Sequence, residues 1–145
     1  MNYNLYLDDW RMPVDTLISK KPLYLKKIIS ENEWEIVRSY YEFVQKIERY
    51  GLPDLISFDH DLGDTYYFLD EEEPKKLIIM PDNCYFDYPK YEEHDERTGY
   101  HCAQWLVGYC MEHKLPLPKY VIHSDNTVGS RNISSYLENY KKHCE

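Results

Sequence analysis

No stretch of this chain approaches the roughly 18 consecutive apolar residues that a membrane-spanning helix needs, so no membrane partner is expected. The opening residues, MNYNLYLDDW, lack the charged start and long apolar run of a secretory leader. No pair among the four cysteines, Cys84, Cys102, Cys110 and Cys144, forms a CxxC motif. They read as reduced thiols of a cytoplasmic protein rather than as a disulfide frame. Basic charge is also scarce: 17 Lys and Arg stand against 26 Asp and Glu, for a net charge of −9. A field of that sign opposes binding of long nucleic acids through phosphate neutralisation. A small phosphorylated ligand held at a local site remains compatible with it. Phe is rare and Tyr abundant, 4 against 16, which favours amphipathic surfaces without naming a function. No internal repeat is present.

What is present is an alternation of strand and helix patterns within one domain, residues 1–145. YNLYLD, WEIVR, DLISF and KYVIHS read as four short strands of β-branched and aromatic residues. Tyr40, Phe43, Val44 and Ile47 fall at helical spacing, and Gly51 and Pro53 end that helix. GYHCAQWLVGYCMEH is a second helix with Cys102, Leu106, Tyr109 and Cys110 on one face and Thr98 as its cap. SRNISSYLENYKK closes the series, with Ile133, Tyr136, Leu137 and Tyr140 sharing a face. Strands alternating with helices indicate βα units and a parallel sheet with helices on its faces. Residues 11–33 carry only a weak helical signal, from Pro22 to Ser30, with Pro in the first turn. Residues 64–97 form an insertion rich in Asp, Glu, Tyr and Pro, in which LIIM is expected to pair with CYFDY as a small hairpin. That acidic, Tyr-rich segment is expected to act as a flap beside the site.

In a parallel α/β sheet, ligands bind beyond the carboxyl ends of the strands. Three strands end there in polar clusters: Asp8-Asp9, Asp59-His60-Asp61 and His123-Ser124-Asp125-Asn126. Carboxylates near a core carry a heavy desolvation cost unless something positive sits against them. Adjacent strands would bring Asp8, Asp9 and Asp59 into one oxygen-rich pocket suited to Mg²⁺ or Mn²⁺. Zinc is not favoured, because Cys102 and Cys110, near His101 and His113, lie on the apolar face of their helix.

The motifs YLDDWR, ISFDHDLG, TGYHCAQWL and IHSDNTVGSRNI together resemble the cyclic-phosphate-processing receiver-like domains, relatives of response-regulator receivers. The resemblance implies a receiver-like (flavodoxin-like) three-layer α/β fold. Its four-stranded parallel sheet has order 2-1-3-4, lacks the fifth receiver strand with its lysine, and carries an insertion after strand 3. Asp8 and Asp9 then fall where receivers bind Mg²⁺, Asp59 where they accept phosphate, and Ser124 where they keep a hydroxyl. Without the lysine, ordinary phosphotransfer is not expected. The resemblance further implies catalytic roles for His60, His123 and Asp61, and ligand contacts from Arg11, Ser124, Asn126, Arg131 and Asn132. His123 and Arg131 are expected where packing is sparse, serving the ligand rather than the fold. Bacteria and phage-infected cells are the setting the resemblance implies. Three functions compete: metal-dependent hydrolysis of a cyclic phosphate in a nucleotide or at an RNA end, binding of such a nucleotide without turnover, and a degenerate receiver that only docks proteins. The acidic, His-rich strand edge argues against the third.

Overall fold

The computed structural model describes residues 2–68, 76–80, 91–95 and 97–144, with the backbone alone described for 64–68, 76–80, 91–95 and 144. Its elements are β1 (Asn4–Leu7), α1 (Pro13–Leu17), α2 (Leu23–Glu31), β2 (Glu35–Val37), α3 (Tyr40–Tyr50) and β3 (Leu55–Phe58). After these come β4 (Asp64–Phe68), β5 (Lys76–Met80), β6 (Tyr91–Asp95), α4 (Gly99–His113), β7 (Lys119–Ile122) and α5 (Thr127–Cys144). The main sheet runs β2-β1-β3-β7 with every pairing parallel, which is the expected order 2-1-3-4.

Side-chain alternation along the strands decides which layer each residue joins. Leu5, Leu7, Ile56 and Phe58 face one layer, where Phe43 and Ile47 of α3, Leu106 of α4 and Leu137 of α5 complete the larger core. Tyr6 and Val121 face the opposite layer, covered by Leu25 and Ile29 of α2. Local signals stop and start the helices as their residue types dictate. The Ser39 hydroxyl accepts from the Glu42 N–H to open α3, and Gly51, at φ 84°, closes it in a conformation that L side chains rarely adopt. Thr98 accepts from the Tyr100 N–H to open α4.

Three expectations need correction. Residues 11–33 hold a further short helix, α1, and Pro22 caps α2 rather than sitting in its first turn. The closing helix begins at Thr127, three residues before the expected Ser130, because Asn126 caps it from outside. LIIM does form part of a strand, β5, but its partner is β4 in the antiparallel sheet β5-β4-β6. CYFDY lies outside the described residues.

Candidate functional site

Asp8, Asp59 and His123 extend β1, β3 and β7 at their carboxyl ends, and the register brings them together. The backbone N–H of Asp8 is held by Val37, that of Asp59 by Leu7 and that of His123 by Phe58. All three side chains are buried. Each offers one ligand atom, and these atoms lie within 4.8 Å of one another. The group could hold a metal ion. Its donor set of two carboxylates and an imidazole suits a hard or borderline divalent cation.

The electrostatics favour a positive charge between these carboxylates. Asp8 is well supported: its Oδ1 accepts from the N–H groups of Trp10 at 3.1 Å and Arg11 at 2.9 Å, and its Oδ2 faces His123 Nε2 at 3.0 Å. Burial would raise its pKa, but those hydrogen bonds outweigh burial and hold the carboxyl below its ordinary 3.8. Asp59 is not supported in the same way. Its Oδ1 accepts from the His60 N–H at 2.9 Å, while its Oδ2 is buried with no hydrogen-bond partner. Burial and then the charge of Asp8 push it from 3.8 to about 7, with Arg11 opposing. An orphaned carboxylate oxygen beside a second carboxylate is the observation that a cation fits. Asp9 lies one step out. Its Oδ2 accepts from the Gly63 N–H at 3.0 Å, and burial with the neighbouring Asp8 charge raises it to about 6.

Arg11 is the cation nearest the carboxylates. Its Nε is 3.3 Å from Asp8 Oδ2 without hydrogen-bond geometry, its Nη2 is 3.9 Å from Asp59 Oδ1, and its Nη1 donates to Asp125 Oδ2 at 3.0 Å. Lys21, which the sequence did not mark, ties the same rim together by pairing with Asp125 at 2.7 Å and donating to the Ser124 carbonyl at 2.9 Å.

His60, Asp61 and Asn126 form a second cluster at the mouth. His60 Nδ1 meets Asp61 Oδ1 at 2.9 Å, and the Asn126 amide donates to Asp61 Oδ2 at 3.1 Å. Asn126 Oδ1 accepts from the Gly129 N–H at 2.8 Å, which fixes the amide orientation. Ser124 Oγ accepts from the Asn126 N–H at 3.1 Å and so shapes the same loop.

The expectation that His123 stands where packing is sparse is overturned. Alternation along β7 turns it inward with Val121, beneath α1 and α2. There it stacks on Tyr6 with ring centres 4.3 Å apart and meets the Ser57 hydroxyl through Nδ1 at 2.7 Å. Burial lowers its pKa, and the Asp8 carboxylate, 3.0 Å from Nε2, opposes that shift. Arg131 and Asn132, both exposed on α5, are not brought to the carboxylates. Arg131 lines a groove beside β7, and Asn132 lines a shallow one with Tyr100 and Tyr136.

Two glycines complete the site. A Cβ on Gly99 would overlap the Asp59 carbonyl oxygen, and one on Gly129 would overlap the His60 ring. Close approach of α4 to the Asp59 backbone therefore requires glycine at 99, while glycine at 129 leaves room for the His60 ring in this position. The signal was present in TGYH and TVGSRN, where each glycine opens a helix beside a polar strand end.

The model of the cyclic-phosphate processing receiver domain matches residues 3–139, and the chain belongs to that family. It matches no curated protein and no solved structure.

Proposed function

We propose that this chain is a metal-dependent phosphoesterase that opens a cyclic phosphate in a nucleotide or at an RNA end. The observation that carries the reading is the buried Asp59 Oδ2, unpartnered beside Asp8 and His123, with the family's cyclic-phosphate name behind it. Asp8, Asp59 and His123 would hold Mg²⁺ or Mn²⁺, with Asp9 beside them. When bound, such a cation supplies charge neutralisation to phosphate oxygens. Each other residue then has a role from its position. Arg11, already facing Asp8, Asp59 and Asp125, draws a phosphate oxygen to the same point. His60, held by Asp61 and Asn126 and only partly exposed, moves the proton. A water oxygen attacks phosphorus, the bond from phosphorus to one ribose oxygen breaks, and that oxygen leaves with a proton. His123 acts through Asp8, as a positioning residue and metal ligand rather than as the proton carrier. Trp10, 62 % exposed next to Arg11, offers a flat apolar face on which a base can stack, which favours a nucleotide over a bare phosphate.

The test is incubation with Mg²⁺ or Mn²⁺ and a panel of 2′,3′-cyclic, 3′,5′-cyclic and cyclic dinucleotides, following binding and product together. A linear phosphomonoester or a linearised dinucleotide is expected from the wild type and none from Asp59→Asn. His60→Ala should bind but lose about a hundredfold or more in turnover, the usual contribution of a general acid or base. Binding without product across the panel would replace this reading with sequestration of the nucleotide.

A further inference from the structure

Among the described residues, β7 is the last strand of the main sheet and pairs with β3 on one side only. The His123 N–H donates inward to the Phe58 carbonyl at 2.9 Å, so the alternation of a parallel ladder turns the N–H and C=O groups of Tyr120 and Ile122 outward. Among the described residues, no strand pairs with that outer edge. A groove of about 1150 Å³ runs along it, with α2 as one wall and α5 as the other. Its lining holds none of Asp8, Asp9, Asp59 or His60, although Lys21 and Ser124 at the rim of the carboxylate site stand at one end of it.

The groove differs in charge from the rest of the chain. Lys21, Lys119, Arg131 and Lys141 line it against Asp54 and Glu138. Lys21 is paired with Asp125, and Glu138 accepts from the Tyr120 hydroxyl at 2.7 Å. Among the described residues, Lys119, Arg131 and Lys141 have no ion-pair partner, in a chain whose net charge is −9. Three unpaired cations around an open strand edge select for an anionic occupant, and the outward N–H and C=O groups select for a backbone that can continue the ladder.

We propose that the outer edge of β7 receives an extended acidic peptide segment of a partner protein, which pairs with Tyr120 and Ile122 as a fifth strand. A second copy fits less well, because edge-to-edge pairing sets Lys119, Arg131 and Lys141 against their own duplicates. A nucleic acid strand would meet the cations but leave the ladder groups of Tyr120 and Ile122 unused.

The experiment uses the whole chain and a labelled, end-blocked peptide alternating Glu and Val, with the Lys and Val peptide as control. The Glu peptide should bind at least about tenfold more tightly than the Lys peptide, and more weakly as salt rises. Its binding should slow hydrogen exchange at the Tyr120 and Ile122 amides. N-methylation of alternate peptide amides should cost about tenfold or more in affinity, because it removes the ladder donors. The double variant K119E/K141E should reverse the preference between the two peptides. If that variant does not fold, the N-methylated peptide on the wild type decides the matter. Failure of the Glu peptide to bind, binding indifferent to N-methylation, or protection of Tyr120 and Ile122 by an oligonucleotide or by self-association instead would each overturn the proposal.

Discussion

Replacing Asp59 with Asn in the metal-free protein should make it more stable, and increasingly so as pH rises. In the folded chain the Asp59 carboxyl is raised to about 7, against 3.8 when free. Between those values the folded state holds a proton that the unfolded state has released, so stability falls as pH climbs through that window. Integrating the two titrations at about 1.4 kcal/mol per pH unit gives a cost of roughly 0.5 kcal/mol at pH 4 and roughly 4 kcal/mol at pH 8. Asn keeps the shape and carries no charge, so Asp59→Asn removes this penalty. His123 pulls the other way, since its lowered pKa makes stability rise with pH until the free imidazole is neutral too. That contribution is largely common to both proteins and cancels in their difference. The assay is thermal or urea unfolding in EDTA from pH 4 to pH 8, where each kcal/mol is worth about 3 °C in Tm for a chain of this size. The gap should widen with pH by roughly 10 °C at most. Saturating Mg²⁺ or Mn²⁺ should close most of the gap at pH 8, stabilising the wild type by about 2.7 kcal/mol at a hundredfold excess over Kd and leaving Asp59→Asn almost unmoved. Parallel pH profiles for the two proteins, or equal responses to metal, would refute the reasoning.

Other outcomes follow from the same geometry. His123→Ala should cost about 3 kcal/mol or more in unfolding free energy, because it empties a buried ring site and strips partners from Asp8 and Ser57; a change under about 1 kcal/mol would place His123 outside the packed layer. Gly129→Ala should fold with a Tm close to that of the wild type, since Ala suits a helix, yet lose turnover as His60 is displaced. Gly99→Ala should lower the Tm itself, because the clash is with the rigid backbone of Asp59; equal melting of the two variants would contradict this contrast. Replacing residues 66–95 with a short Gly-Ser linker should preserve the metal response and weaken nucleotide affinity. The insertion departs beside Gly63, bonded to Asp9, and returns at Gly99, whose N–H donates to the His60 carbonyl at 2.7 Å. Unchanged affinity in that replacement would remove the insertion from ligand binding.

Much of this arrangement is legible in the sequence because a few physical rules act locally. Period-two strands ending in Asp8, Asp59 and His123 place their polar termini on one sheet edge once the sheet is parallel. The helix from Gly99 to His113 announces itself through Thr98 and the buried face of Cys102, Leu106 and Cys110. What escaped depends on contacts distant in the chain. The fate of His123 is decided by α1 and α2, whose sequence carries little periodicity, and by Tyr6 and Ser57 on other strands. Alternation along KYVIHS does put Val121 and His123 on one face, but only the cover over that face shows it to be closed. Arg131, on the helix that begins at Thr127, lines the groove beside β7, a placement that the motif alone did not specify. Lys21 reaches Asp125 across 104 positions, a pairing no local pattern marks.

The most direct test of the central claim is phosphorus NMR of a 2′,3′-cyclic nucleotide incubated with the protein and Mn²⁺ or Mg²⁺ in ¹⁸O-labelled water, with the metal removed before the spectrum is recorded. Metal-dependent cleavage at the Asp8, Asp59 and His123 cluster predicts a linear phosphomonoester carrying one solvent oxygen. It should form with metal, and not in EDTA or with Asp59→Asn. A cyclic phosphate that remains intact beside metal-loaded protein, for this nucleotide and for its 3′,5′-cyclic and cyclic dinucleotide counterparts, would contradict the account.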